Sequence, residues 1–415
     1  MQRVILHIDL DNFFASVECA LNPAIAEEPV AVCGDADARH GIVLAKNQLA
    51  KRAGIKTGQT IAEAKSRAPG LVVVTADYEH YLAYSTRARR IYESYTPRVE
   101  PFGLDECWLD VSSRYLDLAG GERIAREIRT RIFEELHITA SVGISFNKIF
   151  AKLGSDYNKP NGIKVFSEEN FRQDIWPLGV RELLYCGRAT EEKLQKRNIN
   201  TIGALARSDP AFLRTFLGKP GVMLWNYANG YESAPVNYIG EGHEIKSIGN
   251  STTTYRDLRS MTDVKSVIYL LTEKVARRMR QKKLTGACVH LSVRYADLSR
   301  FEIQHRLSYD TDLDGDMARE VLKLFEQEKC LYAPIRSLGV RMSELKSTQC
   351  AQLTFFDNTR RRRLEETIDA LHERFGNKRP VRAVMLCDEK LLGFEENRRQ
   401  VFSAVDNSEQ TQFAV

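Results

Sequence analysis

The chain has 415 residues, 43% of them hydrophobic and 28% charged, with a formal net charge of +5. That composition fits a soluble globular protein of about three domains and excludes bulk disorder, collagen-like repeats and coiled-coil fibres. Sixty basic against 55 acidic side chains exclude a wholly basic packaging protein but leave room for a local basic patch.

Val4 to Ile8 reads as a buried strand ending at Asp9, and Asn12 to Ala20 as a helix with Phe13, Phe14 and Val17 apolar. Short strands follow at Val30–Cys33 and Ile42–Ala45, then a helix at Asn47–Ala53. Leu71–Val74 is a further strand and Tyr78–Tyr95 a long helix. Glu100–Val111 holds two short strands about Gly103–Glu106, Gly121–Leu136 an amphipathic helix, Thr139–Ile144 a strand and Lys148–Tyr157 a helix. This alternation predicts an α+β or α/β core. From Val180 to Asn229 the signals are short helices broken by glycines, and a linker is expected near 232–245. Strands at Ser247–Tyr255, Ala287–Tyr295, Phe301–Leu307 and Ile335–Leu345, with helices at Asp263–Gln281 and Asp316–Lys329, give a β-α-β-β-α-β domain. Arg360–Phe375 predicts a last helix with Leu364, Ile368, Leu371 and Phe375 on one face.

Charge is unevenly shared. Residues 1–170 carry 21 basic and 23 acidic side chains, whereas residues 171–346 carry 28 basic and 21 acidic. Nine basic residues crowd Lys274–Arg306; such a run is most often a solvated helix face, but its coincidence with a strand pattern raises the nucleic-acid reading. The eight cysteines show no C-x-x-C spacing, which argues against a zinc ribbon and fits a reducing compartment. No run approaches about 18 apolar residues, and the N-terminal apolar run is too short for a signal peptide, so the expected address is the cytoplasm, away from membranes.

Asp9 ends an apolar strand and Asp11 follows it; Asp105 and Glu106 lie between Phe102 and Trp108. Neighbours in a regular strand face opposite sides, so Asp105 and Glu106 share a site only at a turn or bulge, for which Gly103 is suited. Carboxylates gathered at strand ends bind hard cations through oxygen. Two such ions about 3.5–4 Å apart can activate a hydroxyl nucleophile and neutralise a leaving pyrophosphate.

Three blocks carry a resemblance. Ile8-Asp9-Leu10-Asp11-Asn12-Phe13-Phe14, Gly103-Leu104-Asp105-Glu106-Cys107-Trp108-Leu109-Asp110, and Ser141 to Lys148 running on through Lys152 to Lys159-Pro160-Asn161-Gly162 are similar to the motifs of the Y-family translesion DNA polymerases, over about residues 1–346. The resemblance implies an α+β multidomain right-hand architecture. Its palm would be 1–11 with 77–165, its fingers 12–76, its helical thumb 166–233 and its little finger the β-α-β-β-α-β domain at 242–346, with a tail at 347–415. By motif, Asp9, Asp105 and Glu106 would be catalytic and would hold two Mg²⁺ ions with the carbonyl of Leu10, and Asp110 would be structural. Phe13 and Phe14 would stand near the substrate, Phe14 as the steric gate under the sugar and Phe13 suited to the helix core. Lys159 would meet the triphosphate, as would Lys51 and Arg52. The fingers motif usually reads Y-x-x-R; here Gln48 and Lys51 fill it, giving a point charge without a bidentate fork. Small Val32, Gly41, Val43 and Ala45 would cover the nascent base pair loosely. Leu183 to Leu194 resembles a helix-hairpin-helix, with Arg188 and Ala189 departing from the usual G-h-G. Gln352-Leu353-Thr354-Phe355-Phe356 resembles a sliding-clamp-binding motif, so that Gln352, Leu353, Phe355 and Phe356 would be the clamp anchors.

The implied function is template-directed, error-prone DNA synthesis from dNTP on primer-template DNA by a monomer. Two others remain open at the level of sequence: a catalytically inactive relative acting as a DNA- and clamp-binding adaptor, and a palm-type nucleotidyl cyclase.

Overall fold

The computed structural model describes residues 3–34, 41–112, 117–241, 244–348, 359–375, 380 and 382–388. They form two compact units, one before and one after residue 242. The first begins with β1 (Ile5–Leu10), α1 (Phe13–Leu21), β2 (Val30–Cys33), β3 (Val43–Lys46), α2 (Gln48–Arg52), α3 (Ile61–Arg67), β4 (Val72–Thr75) and α4 (Tyr78–Glu93). It continues through β5 (Val99–Phe102), β6 (Glu106–Asp110), α5 (Leu118–Leu136), β7 (Ala140–Ser145), α6 (Lys148–Tyr157) and β8 (Ile163–Phe166). One sheet has the order β5-β6-β1-β7-β8, and a smaller one has the order β3-β2-β4.

Strand β1 is buried along its length at the centre of the larger sheet. Its period of two sends Leu6, Ile8 and Leu10 into a core with Tyr81 and Ile91 of α4 and Ile124 and Ile128 of α5. Ile5, His7 and Asp9 take the opposite face, which α6 covers. Gly143 of β7 sets how closely that helix approaches. A Cβ there would lie 1.9 Å from the Ala151 carbonyl oxygen and 2.4 Å from the Ser155 amide nitrogen.

Two elements were not anticipated. Helix α3 starts at a capping box: the Glu63 amide donates to Thr60 Oγ1 at 3.2 Å, and the Thr60 amide donates to Glu63 Oε2 at 2.9 Å. Strand β8 pairs parallel with β7 and closes the sheet edge.

The rest of this unit is helical: α7 (Phe171–Ile175), α8 (Arg188–Gln195), α9 (Ile202–Ala206), α10 (Pro210–Leu217) and α11 (Lys219–Ala228) pack about Leu194, Ile202, Leu213 and Leu224. Gly218 joins α10 to α11 at φ +69°, a conformation that favours glycine.

The second unit runs β9 (Ser247–Leu258), α12 (Met261–Gln281), β10 (Leu284–Tyr295), β11 (Arg300–Thr311), α13 (Asp314–Gln327) and β12 (Ile335–Ser347), the anticipated β-α-β-β-α-β order. Its antiparallel sheet, ordered β11-β10-β12-β9, packs one face against both helices through Val289, Leu291, Val293, Leu338 and Val340. Helix α14 (Thr359–Phe375) and a turn at Ala383–Cys387 follow. Of the apolar face expected of α14, Leu364 is 59% exposed while Ile368 and Leu371 are half-buried. Charge also holds the helix. Asp369 pairs with Arg277 and Arg280 of α12 at 3.2 and 2.7 Å, and Arg362 reaches Asp312 at 3.0 Å. The Gln352–Phe356 motif lies outside the described residues.

Candidate active site and nucleic-acid interface

The larger sheet brings the carboxylates together. Asp9 near the end of β1 stands cross-strand from Glu106 at the start of β6. Asp105 lies in the turn between β5 and β6, where Gly103 has φ +84°. The turn is pinned: the Leu10 amide donates to the Asp105 carbonyl at 3.0 Å, and Arg89 of α4 donates to the Gly103 carbonyl at 2.8 Å. Asp105 thus lies in the turn expected about Gly103, next to Glu106 at the start of β6.

Helix α6 supplies the opposite charge. Lys152 Nζ lies 3.0 Å from Glu106 Oε2, 3.4 Å from Asp9 Oδ2 and 3.0 Å from Asp156 Oδ2. Lys159 Nζ lies 2.6 Å from Asp9 Oδ2 and 2.8 Å from Asp156 Oδ1. The loop carrying Lys159 is anchored by Asp11, which accepts hydrogen bonds from the Thr139 and Ser141 hydroxyls and the Asn161 amide, each at 2.8 Å. Asp110 accepts from the Ser112 hydroxyl at 2.6 Å at the end of β6.

Burial and then the charge of Glu106 push the Asp9 carboxyl up to about 7 and that of Asp105 up to about 6. Burial pushes Glu106 upward too, but His7 and Lys152 outweigh it and hold that carboxyl below its usual range. Two carboxyls that resist ionisation beside a third are relieved by a hard cation, so the donor set fits a divalent metal. Among the described residues no three such side chains converge into a ready-made cage, because the lysines hold the carboxylate oxygens.

The Phe14 ring is half-buried and stacks on Tyr81 at 4.2 Å between centroids, with Tyr78 edge-on to it. The Tyr81 hydroxyl is fixed by donating to Glu18 at 2.6 Å. Phe13 is 3% exposed and belongs to the core. Lys51 and Arg52 are exposed on α2, and no ion pair among the described residues ties them to the carboxylates.

Sequence reading had given no role to His7, Lys152, Ser155 or Asp156. A signal was present: Lys152, Ser155, Asp156 and Lys159 recur at helical spacing, and His7 shares the strand face of Asp9.

In the second unit the sheet face turned away from the helices carries small and basic residues together with Gln304 and Glu302, the latter paired with Arg341 at 2.9 Å. Strand pairing sets Arg294 opposite Arg300 and Ser337, Ser292 opposite Gly339, and His290 opposite Arg341. Arg294, Arg300 and Arg306 are exposed. A face with no large aliphatic side chain in these rows and a surplus of guanidinium groups suits a phosphate backbone.

Carboxylates and lysines interlock at the centre of the larger sheet, which is antiparallel except where β8 joins β7. Residues 8–156 match the impB/mucB/samB family, and residues 245–355 match the C-terminal domain of that family. The chain is 47% identical over 396 residues to DNA polymerase IV of Acetivibrio thermocellus, covering 94% of this chain and 99% of the relative. It is 33% identical to DNA polymerase IV 1 of Bacillus subtilis, covering 91% of each. A solved Y-family DNA polymerase chimera of Dbh and Dpo4 shares the fold at a TM-score of 0.73 and 24% identity, covering 83% of this chain and 99% of that one. The chain belongs to the impB/mucB/samB family and is a Y-family DNA polymerase of the DNA polymerase IV branch. These relatives give no support to the inactive adaptor.

Proposed function

We propose that this polymerase extends a primer by template-directed, error-prone synthesis past damaged bases, with Asp9, Asp105, Glu106 and the Leu10 carbonyl holding two Mg²⁺ ions. The observation that carries this reading is the convergence of Asp9 and Glu106 across paired strands, with Asp105 beside them in a pinned turn. When bound, the cations supply charge neutralisation at the α-phosphate and its leaving group. Lys159, held over the site by the loop that Asp11 anchors, meets the triphosphate. Lys51 and Arg52 add positive charge from α2 without a bidentate grip. The larger sheet with α4 to α6 serves as palm, the β3-β2-β4 region as fingers, the helices α7 to α11 as thumb and the second unit as little finger. The protein works as a cytoplasmic monomer, and Gln352, Leu353, Phe355 and Phe356 anchor it to the sliding clamp. Primer extension opposite a panel of damaged templates, with and without clamp, tests this; no extension opposite any template, damaged or intact, would refute it.

Phe14 is the sugar-facing aromatic, its other flank fixed by Tyr81. Phe14→Ala should raise rNTP incorporation relative to dNTP by about 100-fold, about 2.7 kcal/mol of discrimination. Unchanged selectivity in single-nucleotide insertion kinetics would remove Phe14 from this role.

The basic sheet face is the DNA grip of the little finger. Arg294→Ala with Arg341→Ala should weaken DNA binding and make the slope of log K against log salt shallower by about 1 to 2. Fluorescence anisotropy over a salt series reads this directly; an unaltered slope would place the phosphate contacts elsewhere.

A further inference from the structure

Lys159 lies in the loop 158–162, between the end of α6 and the start of β8. A long flexible side chain is aimed by the backbone that carries it, so the shape of this loop decides where the ammonium stands. Asn161 fixes that shape. It has φ +55°, a left-handed conformation that a residue other than glycine keeps when its surroundings hold it there. Its amide donates to Asp11 Oδ2 at 2.8 Å. Its Oδ1 accepts from Arg129 Nε at 3.1 Å and from Nη2 at 2.6 Å, and its carbonyl oxygen accepts from the same Nη2.

The next residue leaves little slack. A Cβ on Gly162 would lie 2.1 Å from the Asn158 carbonyl oxygen, so the loop closes tightly on itself. The Gly162 carbonyl accepts from the Val142 amide at 2.9 Å, which ties the end of the loop to β7. Asp11 and β7 thus hold one side of Asn161, and Arg129 holds the other from α5. All the hydrogen bonds of the Arg129 guanidinium among the described residues go to Asn161. A planar guanidinium presents its N–H groups in a fixed fork and so meets two oxygens of one residue at once; a lysine ammonium would not.

We propose that Arg129 is a positioning residue for the incoming nucleotide: its fork holds Asn161 and so keeps Lys159 over the carboxylates. The proposal rests on the reading that Lys159 meets the triphosphate. Among the described residues no hydrogen bond or ion pair joins Arg129 to Asp9, Asp105 or Glu106, so its effect runs through the loop.

Single-nucleotide insertion by the full chain on undamaged primer-template separates KM for dNTP from kcat. Arg129→Ala should raise KM about tenfold, with kcat lowered less than about threefold and DNA affinity unchanged. Arg129→Lys keeps the charge and loses the fork, so its KM should stay within about twofold of that of Arg129→Ala. Asn161→Gly keeps the left-handed backbone and removes Oδ1 from the fork; it should raise KM at least about threefold. Lys159→Ala should raise KM about tenfold or more, and adding Arg129→Ala to it should bring less than about a further twofold rise. A wild-type KM in Arg129→Ala or Asn161→Gly, full recovery in Arg129→Lys, a loss confined to kcat, or full additivity with Lys159→Ala would each overturn the proposal and leave the role of Lys159 standing. Thermal unfolding of every variant, with insertion measured well below the lowest Tm, keeps a folding defect from being read as a kinetic one. Should Lys159→Ala itself show a wild-type KM, the triphosphate reading fails and takes the role of Arg129 with it.

Discussion

Asp105→Ala should lower primer extension by at least about 1000-fold, an increase in barrier of about 4 kcal/mol, while leaving the fold intact. The side chain lies in the β5–β6 turn, and that turn is held by the Leu10 and Arg89 hydrogen bonds to carbonyls, which the substitution leaves in place. The pH dependence gives a second readout. A carboxyl raised from 3.8 to about 6 binds its proton more tightly in the folded chain than in the unfolded one. It therefore costs stability as pH rises from about 4 through about 6, and the cost persists above that. Metal-free Asp105→Ala should accordingly melt at or slightly above wild type at pH 8 and lose that advantage at pH 4. The margin is small, because Asp105 remains partly open to solvent. Single-turnover extension and thermal unfolding at the two pH values measure both effects; residual extension above about a tenth of wild type would end the catalytic assignment.

Gly143→Ala is expected to be the most damaging single methyl group in the first unit. The added carbon would sit 1.9 Å from the Ala151 carbonyl oxygen, which belongs to helix backbone and cannot rotate aside. Helix α6 must move off the sheet, at a cost of about 3 kcal/mol or more. For a unit of this size that lowers Tm by roughly 6–12 °C. Extension measured well below the new melting point should fall as well, because α6 carries Lys152, Ser155 and Asp156 over the carboxylates. A Tm within about 2 °C of wild type would mean that the backbone absorbs the methyl group without moving the helix.

The chain's periodicities made most of the fold legible. Strand β1 could be read from an apolar run, and the domain of β9 to β12 from its alternating strands and long helices. The capping box Thr60-Ile-Ala-Glu63 was also present, but α3 covers only Ile61–Arg67, too short for helical periodicity to stand out. Strand β8 is four residues long and paired only with β7, so it lacks both length and a hairpin signal. The carboxylates were legible because their family motifs are specific, although Asp9 stands 96 positions before Asp105. The companions of Glu106 were not, because His7 and Lys152 meet it only through tertiary contact, 99 and 46 positions away in sequence. The ion pairs of α14 were not legible for a related reason: sequence displays the apolar stripe of a helix, whereas the partners of Asp369 and Arg362 belong to other elements.

The two ammonium groups at the carboxylates separate assembly from activation. A structural zinc module has no folded form until its metal arrives, since nothing else balances its ligands. Here Lys152 and Lys159 act as built-in counter-ions for Asp9, Glu106 and Asp156, so the apoprotein can mature and persist before any ion binds. A cation bound by Asp9 and Glu106 would meet oxygens that the lysines now contact, and Lys152 and Lys159 would then be available to phosphate oxygens. Any metal at these carboxylates would then be needed for the reaction rather than for folding.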